Sequence, residues 1–166
     1  MDEFDLYEDD DINIDDTYLT FSIDLEEYAI CVSYVTEIVR MQKIIEMPDV
    51  PAYIKGVINL RGKIVPVMDI RKRFNLPSLE YSDRTVIIVL EIEGVLTGIA
   101  VDRVNDVTEL PAQAIEPPPH FARESETHSL IKGMGKSGEH VYILLDIEPM
   151  LQNGKIQSKS ADLISY

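Results

Sequence analysis

Two stretches of this sequence carry residue spacings that also occur at nucleotide and metal sites. The segment Gly133–Gly138 (Gly-Met-Gly-Lys-Ser-Gly) has the letters of the dinucleotide fingerprint, which binds phosphate only where it follows a strand and opens a helix. A strand pattern follows it here, so we interpret it as a glycine-rich hairpin loop. Oxygen-bearing side chains alternate as in a calcium loop at Asp9, Asp11, Asn13 and Asp15. However, Ile14 and Thr20 replace the glycine and the glutamate that such a loop requires. The pattern therefore favours neither a nucleotide nor a calcium site.

The remaining reactive side chains do not form a recognisable catalytic or metal-binding set. His120, His128 and His140 lack the spacing of paired metal ligands, and no cysteine lies near them in the sequence. Cys31 lies within an apolar strand pattern, and the Gly-x-Ser-x-Gly motif of a nucleophile elbow is missing. We therefore predict a buried cysteine, no disulfide, no cofactor, no metal site and no catalytic residue.

Strand patterns dominate the first half of the chain. Tyr18–Ile23 alternates along its length and is followed, after an acidic turn, by Tyr28–Val32, which predicts a hairpin. We predict a short helical turn or bend over Ser33–Arg40. The apolar runs Gly56–Leu60 and Lys63–Ile70 are joined by Arg61-Gly62, which predicts a second hairpin with Arg61 at its exposed tip. Pro66 requires a sheet edge or a bulge at that point.

Short helices interrupt the strands at two places. Asp69 is a typical N-cap, and the residues after it predict a brief helix with Ile70 and Phe74 inward and residues 71–73 outward. A second helix is predicted from Asp146, with its apolar residues inward. The segment Thr85–Ile92 is almost continuously apolar, which indicates a strand covered on both faces. Glu93-Gly94 is predicted to turn this strand into Val95–Val101, and further strands are predicted over Val104–Leu110 and Val141–Leu145.

Composition limits the kinds of partner. The 166 residues are 45% apolar, which suits one compact domain or two very small ones that share a core. With 15 basic and 30 acidic residues the formal net charge is -15, which argues against nucleic acid and against anionic lipid surfaces as partners.

The two ends of the chain differ from its middle. Nine acids and no base precede Thr17, so we predict a disordered acidic arm over residues 1–16. We also predict a flexible tail over residues 153–166. No apolar run approaches the length of about 18 residues that predicts a membrane span, and the first residues do not resemble a signal peptide. We therefore expect a cytoplasmic protein without direct membrane insertion.

One long segment resembles a known family. The stretch Ile54–Phe74 (IKGVINLRGKIVPVMDIRKRF) strongly resembles the signature of the CheW family. Supporting segments follow the family order, among them Thr85–Leu90, Gly98–Val107 and Ile131–Gly135. The similarity extends over roughly residues 18–152.

The resemblance implies a fold and a function. The implied fold is mainly β, with two intertwined five-stranded SH3-like β-barrels and short helices over residues 17–152. We expect the switch between the barrels near residues 75–84 and the C-terminal helix to pack back on the first barrel. The implied function is a non-catalytic adaptor that couples the cytoplasmic hairpin tips of methyl-accepting chemoreceptors to the regulatory domain of the histidine kinase CheA. The protein would be recruited through these partners to membrane-associated receptor arrays. The alternative from another class is a small-ligand-binding β-barrel sensor.

The resemblance also implies two groups of contact residues. A groove between the barrels is expected to take the helical receptor tip through Val35, Ile38, Arg61, Ile99 and Val101. Two surfaces are expected to face the kinase, the first with Glu37, Met41, Ile44 and Ile45, and the second centred on Phe121.

Each of these assignments has a structural alternative. Ile99 and Val101 are equally well explained as core, since strand aliphatics usually are. Arg61 is alternatively a solvated tip charge, and Phe121 a loop aromatic folded back onto the barrel. Gly56 either permits close approach by a partner or satisfies a turn.

Overall fold

The computed structural model describes residues 14–119 and 128–151, which form two β-sheets and several short helical turns. The described strands are β1 (Thr17–Ile23), β2 (Glu26–Cys31), β3 (Val35–Arg40), β4 (Ile54–Leu60), β5 (Lys63–Asp69), β6 (Val86–Ile92), β7 (Val95–Val101), β8 (Arg103–Glu109), β9 (Ile115–Glu116), β10 (Ile131–Ser137) and β11 (His140–Leu145). The six-stranded sheet has the order β8-β1-β2-β11-β10-β9, and the five-stranded sheet has the order β3-β6-β7-β5-β4. A four-residue helix, α1 (Ile70–Arg73), follows β5, and residues 147–151 are helical.

The chain enters the six-stranded sheet, leaves it for the five-stranded sheet and then returns. The first crossing is a 3-10 turn, Val32–Tyr34, and the second is the single residue Asp102 between β7 and β8. The switch predicted near residues 75–84 is therefore wrong. That segment connects α1 to β6 while β5 and β6 lie in the same sheet, both hydrogen-bonded to β7.

Three apolar clusters form the core. One lies against the five-stranded sheet alone and includes Ile58, Val67 and Ile87. Another lies against the six-stranded sheet and includes Leu110 and Leu144. The largest takes side chains from both sheets, so neither sheet has a complete core without the other. The predicted fold class, mainly β with an SH3-like arrangement of two interlocked units, is confirmed, although one sheet has six strands because the two-residue β9 extends it.

The predicted hairpins are present. Strands β1 and β2 pair antiparallel, as do β4 with β5 and β6 with β7. Pro66 precedes the part of β5 that pairs with β7, which begins at Val67. The bend predicted over Ser33–Arg40 is wrong beyond Tyr34, because Val35–Arg40 forms strand β3 against β6. Its β-branched residues favour the extended conformation.

Helix α1 begins as predicted but directs two arginines inward. Asp69 Oδ1 accepts hydrogen bonds from the backbone N–H groups of residues 71 and 72, at 2.9 and 3.4 Å, and Ile70 and Phe74 are buried. The prediction that residues 71–73 point outward is wrong for Arg71 and Arg73, which are both buried. Both guanidinium groups lie against neighbouring segments, Arg71 against Asp102 and Arg73 over the Tyr53 ring.

The ends of the described chain contact its body. Residues 14–16 form a 3-10 turn, and the Asp16 carbonyl accepts a hydrogen bond of 2.8 Å from Leu110 N. These three residues were predicted to belong to a disordered arm, and this boundary is wrong because backbone contacts hold them. Residues 1–13 and the predicted tail 153–166 lie outside the described residues. At the other end Ile147, Met150 and Leu151 are buried in the shared core, as predicted for the last helix.

The glycine-rich segment is a strand rather than a hairpin loop. It lies in β10, and the turn comes only at its last residue, Gly138. A Cβ on Gly135 would approach Leu110 Cδ1 to 2.9 Å, and one on Gly133 would approach Glu116 O to 2.8 Å. These glycines therefore serve close packing inside the sheet. Cys31 is buried, as predicted. In the described ranges no helix is both long and apolar enough to cross a bilayer.

Candidate partner-binding surface

Arg61 lies at the exposed tip of the β4–β5 hairpin. Its backbone has a φ of +52° and that of Gly62 a φ of +88°, which is the left-handed pair that a tight hairpin turn requires. Asn59 Oδ1 accepts a hydrogen bond of 2.8 Å from Gly62 N and so stabilises the turn. The Arg61 side chain is 69% exposed. The turn therefore presents a guanidinium group to the outside of the five-stranded sheet.

The Arg61 guanidinium is held by a carboxylate on a different strand. Arg61 Nη2 donates to Glu37 Oε2, which joins the hairpin tip to strand β3. This hydrogen bond and the charge of Glu37 raise the pKa of Arg61 above its ordinary value. The contact restricts a long side chain while leaving most of it open to solvent. An oriented guanidinium with free N–H directions suits a carboxylate on a partner.

The segment after β3 lies along the edge of β4. Ile45 N donates to Val57 O at 2.8 Å and Val57 N donates to Ile45 O at 2.9 Å, which forms a single antiparallel bridge. Gly56 makes this approach feasible, because a Cβ there would lie 2.1 Å from Ile45 O and 2.8 Å from Ile44 Cγ2. The close approach suggested for Gly56 is therefore made by this chain itself.

Exposed apolar side chains surround this region. The strand register places Ile45, Val57 and Pro66 in one row, and the next pair on the same face includes Ile64. Ile45 and Ile64 are both exposed, as is Met47. We call Ile45, Met47 and Ile64 the outer apolar residues. The sequence analysis did not select Ile64. Its only signal there is that it is an aliphatic residue close to the hairpin tip, at a position of β5 where the alternation directs the side chain outward.

A second apolar row crosses the same face of the sheet further along the strands, since Ile64, Pro66 and Met68 alternate onto one face of β5. Ile38 pairs with Ile88, Ile88 pairs with Ile99, and Ile99 pairs with Met68. Because β3 is an edge strand, Ile38 at the end of the row is 42% exposed, whereas Ile99 in the middle is fully buried.

Ile99 and Val101 were expected to line a groove, but the structure places both of them in the core. Ile99 and Val101 belong to the core shared by both sheets, with exposures of 0% and 1%. Their strand β7 lies between β6 and β5, so neighbours cover both of its sides. In this conformation the side chains of these two residues pack in the core and are not accessible to a partner.

The other predicted contact residues differ in how far they are exposed. Val35 and Glu37 are half-buried on β3, and Met41 and Ile44 are half-buried against the core of the five-stranded sheet. Ile45 is exposed. Phe121 lies outside the described residues. The structure thus brings together Glu37 and Arg61 and places Ile38 on the same strand as Glu37.

The described surface also has an open depression of a size that could hold a small ligand. It has a volume of about 310 Å³ and lies between the β1–β2 turn and the segment before β6, lined by Asp24, Leu25, Glu80, Arg84 and other residues. Its lining carries both charge signs. No group of three or more His, Cys, Asp or Glu side chains suited to a metal ion occurs within residues 14–119 and 128–151.

The fold and this surface define a small two-sheet β-domain with an oriented ion pair beside exposed apolar side chains, as in a protein-binding module. A family model, the CheW-like domain, matches residues 17–155. The chain is 41% identical over 136 residues to the chemotaxis protein CheW of Klebsiella aerogenes, covering 82% of this chain and 81% of that protein. It is 35% identical over 152 residues to CheW of Bacillus subtilis, covering 92% and 97%.

A solved structure agrees with these sequence matches. The scaffolding protein TtCheW from Thermoanaerobacter tengcongensis superposes with a TM-score of 0.75 at 32% identity, over 82% of this chain and 92% of that one. The chain therefore belongs to the CheW family.

Proposed function

We propose that this protein is a non-catalytic chemotaxis adaptor that couples chemoreceptors to the histidine kinase CheA. The relatives support the biological setting, since they are named chemotaxis proteins and one solved relative is named a scaffolding protein. The observation that carries the proposal is the Glu37–Arg61 pair, which holds a mostly exposed guanidinium beside exposed aliphatic side chains. Such a surface suits protein contacts, where apolar anchors provide affinity and charged groups provide specificity.

The receptor tip is proposed to bind along edge strand β3. Val35 and Ile38 supply aliphatic contacts and Arg61 supplies a charge-assisted contact. A helical hairpin tip binds a groove through apolar residues on one face, so a short row of aliphatics beside one cation is a suitable match. Ile99 and Val101 have a supporting role only, because they are buried.

The kinase regulatory domain is proposed to bind at Glu37 and at the segment that follows β3. Glu37, Met41, Ile44 and Ile45 form the first surface, with Ile45 the most exposed of the three aliphatic residues. The outer apolar residues Met47 and Ile64 extend it. A second kinase contact is proposed at Phe121, after the proline run 117–119, because a stiff segment loses little entropy when its aromatic residue docks.

Coupling of this kind requires no covalent chemistry. An adaptor that holds both partners makes their second contact intramolecular and so raises its effective concentration. It also transmits a conformational preference, because a change in affinity for one partner changes the affinity for the other by the same factor. The protein would act in the cytoplasm and reach membrane-associated arrays through its partners.

Charge substitutions on the two proposed surfaces test this function. Ile38→Glu should weaken binding to a receptor cytoplasmic fragment and leave binding to the CheA regulatory domain intact. Ile45→Glu should have the opposite effect. Val141→Glu is a matched control, since Val141 is also an exposed aliphatic residue but lies in the six-stranded sheet. Binding of each partner is measured separately by calorimetry. Wild-type affinities in both surface variants, or equal losses in all three, would contradict the proposal.

The ligand-sensor alternative has a separate test. A small molecule bound in the depression beside Asp24 should raise the melting temperature, by an amount that grows with the logarithm of its concentration once that exceeds the Kd. ATP and common metabolites are the probes. We expect no shift with any of them, whereas a rise with this concentration dependence would favour the sensor.

A further inference from the structure

The two sheets are connected by very short crossings. One is the 3-10 turn Val32–Tyr34, and the other is the single residue Asp102 between β7 and β8. Residues at the boundaries of elements absorb the backbone rotation when packed units reorient. A change in the angle between the sheets therefore requires a change in the backbone dihedral angles at or beside Asp102, because no other residue lies between β7 and β8.

Arg71 holds this crossing from the five-stranded sheet. Its Nε donates to Asp102 Oδ1 at 3.1 Å and its Nη2 donates to Asp102 Oδ2 at 2.7 Å, which is a two-point contact. Nη1 donates to Pro77 O at 3.0 Å. The Arg71 side chain is only 7% exposed. Each nitrogen of the guanidinium thus donates to a partner in a largely buried position.

The same guanidinium reaches the six-stranded sheet directly. Arg71 Nη2 also pairs with Asp24 Oδ1, in the turn between β1 and β2. Asp24 N donates to Asp102 Oδ2 at 2.8 Å, which closes a three-residue network. One side chain from the helix after β5 therefore joins the crossing residue to a hairpin of the opposite sheet.

We propose that Arg71 is a positioning residue that sets the angle between the two sheets by fixing Asp102. The shared apolar core holds the sheets together, but burial of apolar surface is non-directional and tolerates small rotations. A planar guanidinium with a two-point carboxylate contact specifies direction as well as distance. The network therefore provides the orientation that the core alone does not specify.

This orientation matters for the adaptor role. Under the proposed function, contact surfaces on both barrels must match two partners at once, and Phe121 and Ile45 lie on segments of different halves of the chain. Loss of the network should leave each separate contact intact and weaken only simultaneous binding. This functional consequence rests on the proposed function, whereas the orientation itself is measured without any partner.

The test measures the distance between the sheets. Nitroxide labels at Ile64→Cys on β5 and Val141→Cys on β11, both exposed positions, report that distance by pulsed electron resonance in a Cys31→Ser background. Arg71→Met should broaden or shift the distance distribution. Asp24→Asn neutralises only the more exposed carboxylate, whose amide oxygen can still accept a hydrogen bond, and should give a smaller change in a folded protein. Arg73→Met is the matched control, a buried arginine on the same helix outside the network.

The possible results separate the inference from the proposed function. A distribution identical to the control in Asp24→Asn and in folded Arg71→Met would overturn the positioning role, even if both variants were less stable. If Arg71→Met does not fold, Asp24→Asn and Arg71→Lys decide in its place. A broadened distribution with unchanged binding of receptor and kinase together would uphold the orientation role and contradict its functional consequence. Failure of wild-type protein to bind either partner would contradict the proposed function alone.

Discussion

Arg61 at the tip of the β4–β5 hairpin pairs with Glu37 on β3, a strand that lies at the opposite edge of the five-stranded sheet. The sheet is curved enough to bring its two edge regions together at this point. The bridge between Ile45 and Val57 makes a second connection, from the segment after β3 to β4. The pair is therefore a consequence of the curvature, and it holds a polar group in a fixed place on the exposed surface.

Reversing the charge of Arg61 tests its role in assembly. We expect Arg61→Glu to reduce formation of the receptor, adaptor and kinase complex, because a carboxylate there repels both Glu37 and an acidic partner group. The melting temperature should change by less than about 3 °C, since exposed ion pairs contribute little to stability. Pull-down assays with each partner and differential scanning calorimetry measure the two effects.

The double variant Glu37→Arg/Arg61→Glu is the control for this prediction. It restores an internal ion pair with the charges exchanged, and it is compared with Arg61→Glu in receptor binding because Glu37 belongs to the proposed kinase surface. If Arg61 contacts a partner carboxylate, the double variant should bind as poorly as Arg61→Glu. Full recovery would show that only the internal pair matters, and normal binding by Arg61→Glu alone would leave Arg61 as a solvated turn residue.

Gly56→Ala should destabilise the protein by about 3 kcal/mol, through backbone strain and overpacking together. The new Cβ would lie 2.1 Å from Ile45 O and must displace the Ile44–Ile45 segment. Gly62→Ala is the matched control, since its φ is also positive but nothing lies within 4 Å of the added Cβ. Its cost should be about 1 kcal/mol. The free energies of unfolding of both variants are measured by urea unfolding. Equal losses of stability would contradict a specific clash at Gly56.

The two buried arginines of α1 should respond in opposite ways to methionine. Arg71→Met should cost about 2 to 3 kcal/mol, because it removes charge-assisted hydrogen bonds and leaves two neighbouring carboxylates without their cation. In Arg73, Nε and Nη2 are buried and lack a hydrogen-bond partner, and the guanidinium stacks 4.8 Å from the Tyr53 ring centroid. Arg73→Met should therefore be neutral or stabilising to within about 1 kcal/mol. A large loss for Arg73→Met in urea unfolding would contradict this account.

The Arg71 network also predicts a loss of stability in acid. Burial alone would raise the pKa of Asp102, but hydrogen bonds from Arg71 and from Asp24 N, with the charge of Arg71, lower it below 3.8. The unfolded state then binds this proton more readily than the folded state. The contribution of Asp102 is fully present above its unfolded pKa and is lost as the pH falls through the folded pKa.

The measurement is the difference in stability between the wild type and Asp102→Asn as a function of pH. This difference should be constant between about pH 6 and pH 7 and should shrink below about pH 4. Asp83→Asn, in the exposed segment before β6, is the control. A difference that grows as the pH falls would contradict the predicted sign.

The 3-10 turn at residues 14–16 predicts where shortening of the chain becomes costly. A chain that begins at Ile14 should have the melting temperature of the full chain, because the residues removed are mostly acidic and lack apolar periodicity. A chain that begins at Thr17 loses the hydrogen bond from Leu110 N to Asp16 O and should lose about 1 kcal/mol. The melting temperatures of both shortened chains are measured by calorimetry and compared with that of the full chain. Equal melting temperatures for the two would place the true boundary at Thr17.

Local patterns in the sequence were sufficient for the hairpins and helix starts. Arg61-Gly62 and residues 93–94 mark tight turns because positive φ is required there, and Asp69 marks a helix start because its carboxylate satisfies free backbone N–H groups. The apolar run of β6 indicates burial on both faces for the same kind of local reason. The stretch Ile54–Phe74 also carried the family resemblance.

Only the tertiary structure decided which of these side chains face solvent. Ile38 and Ile99 are both strand isoleucines in one register row, yet one lies at a sheet edge and the other at its centre. Arg71 and Arg73 belong to a basic run that normally indicates a solvated face, but their burial depends on Asp102, Asp24 and Tyr53, which are distant in sequence. Residue type and spacing determine local backbone conformation, because turns and caps depend on neighbours along the chain. Burial and pairing depend on strand order and on how the two sheets meet, and these contacts join segments that no local pattern relates.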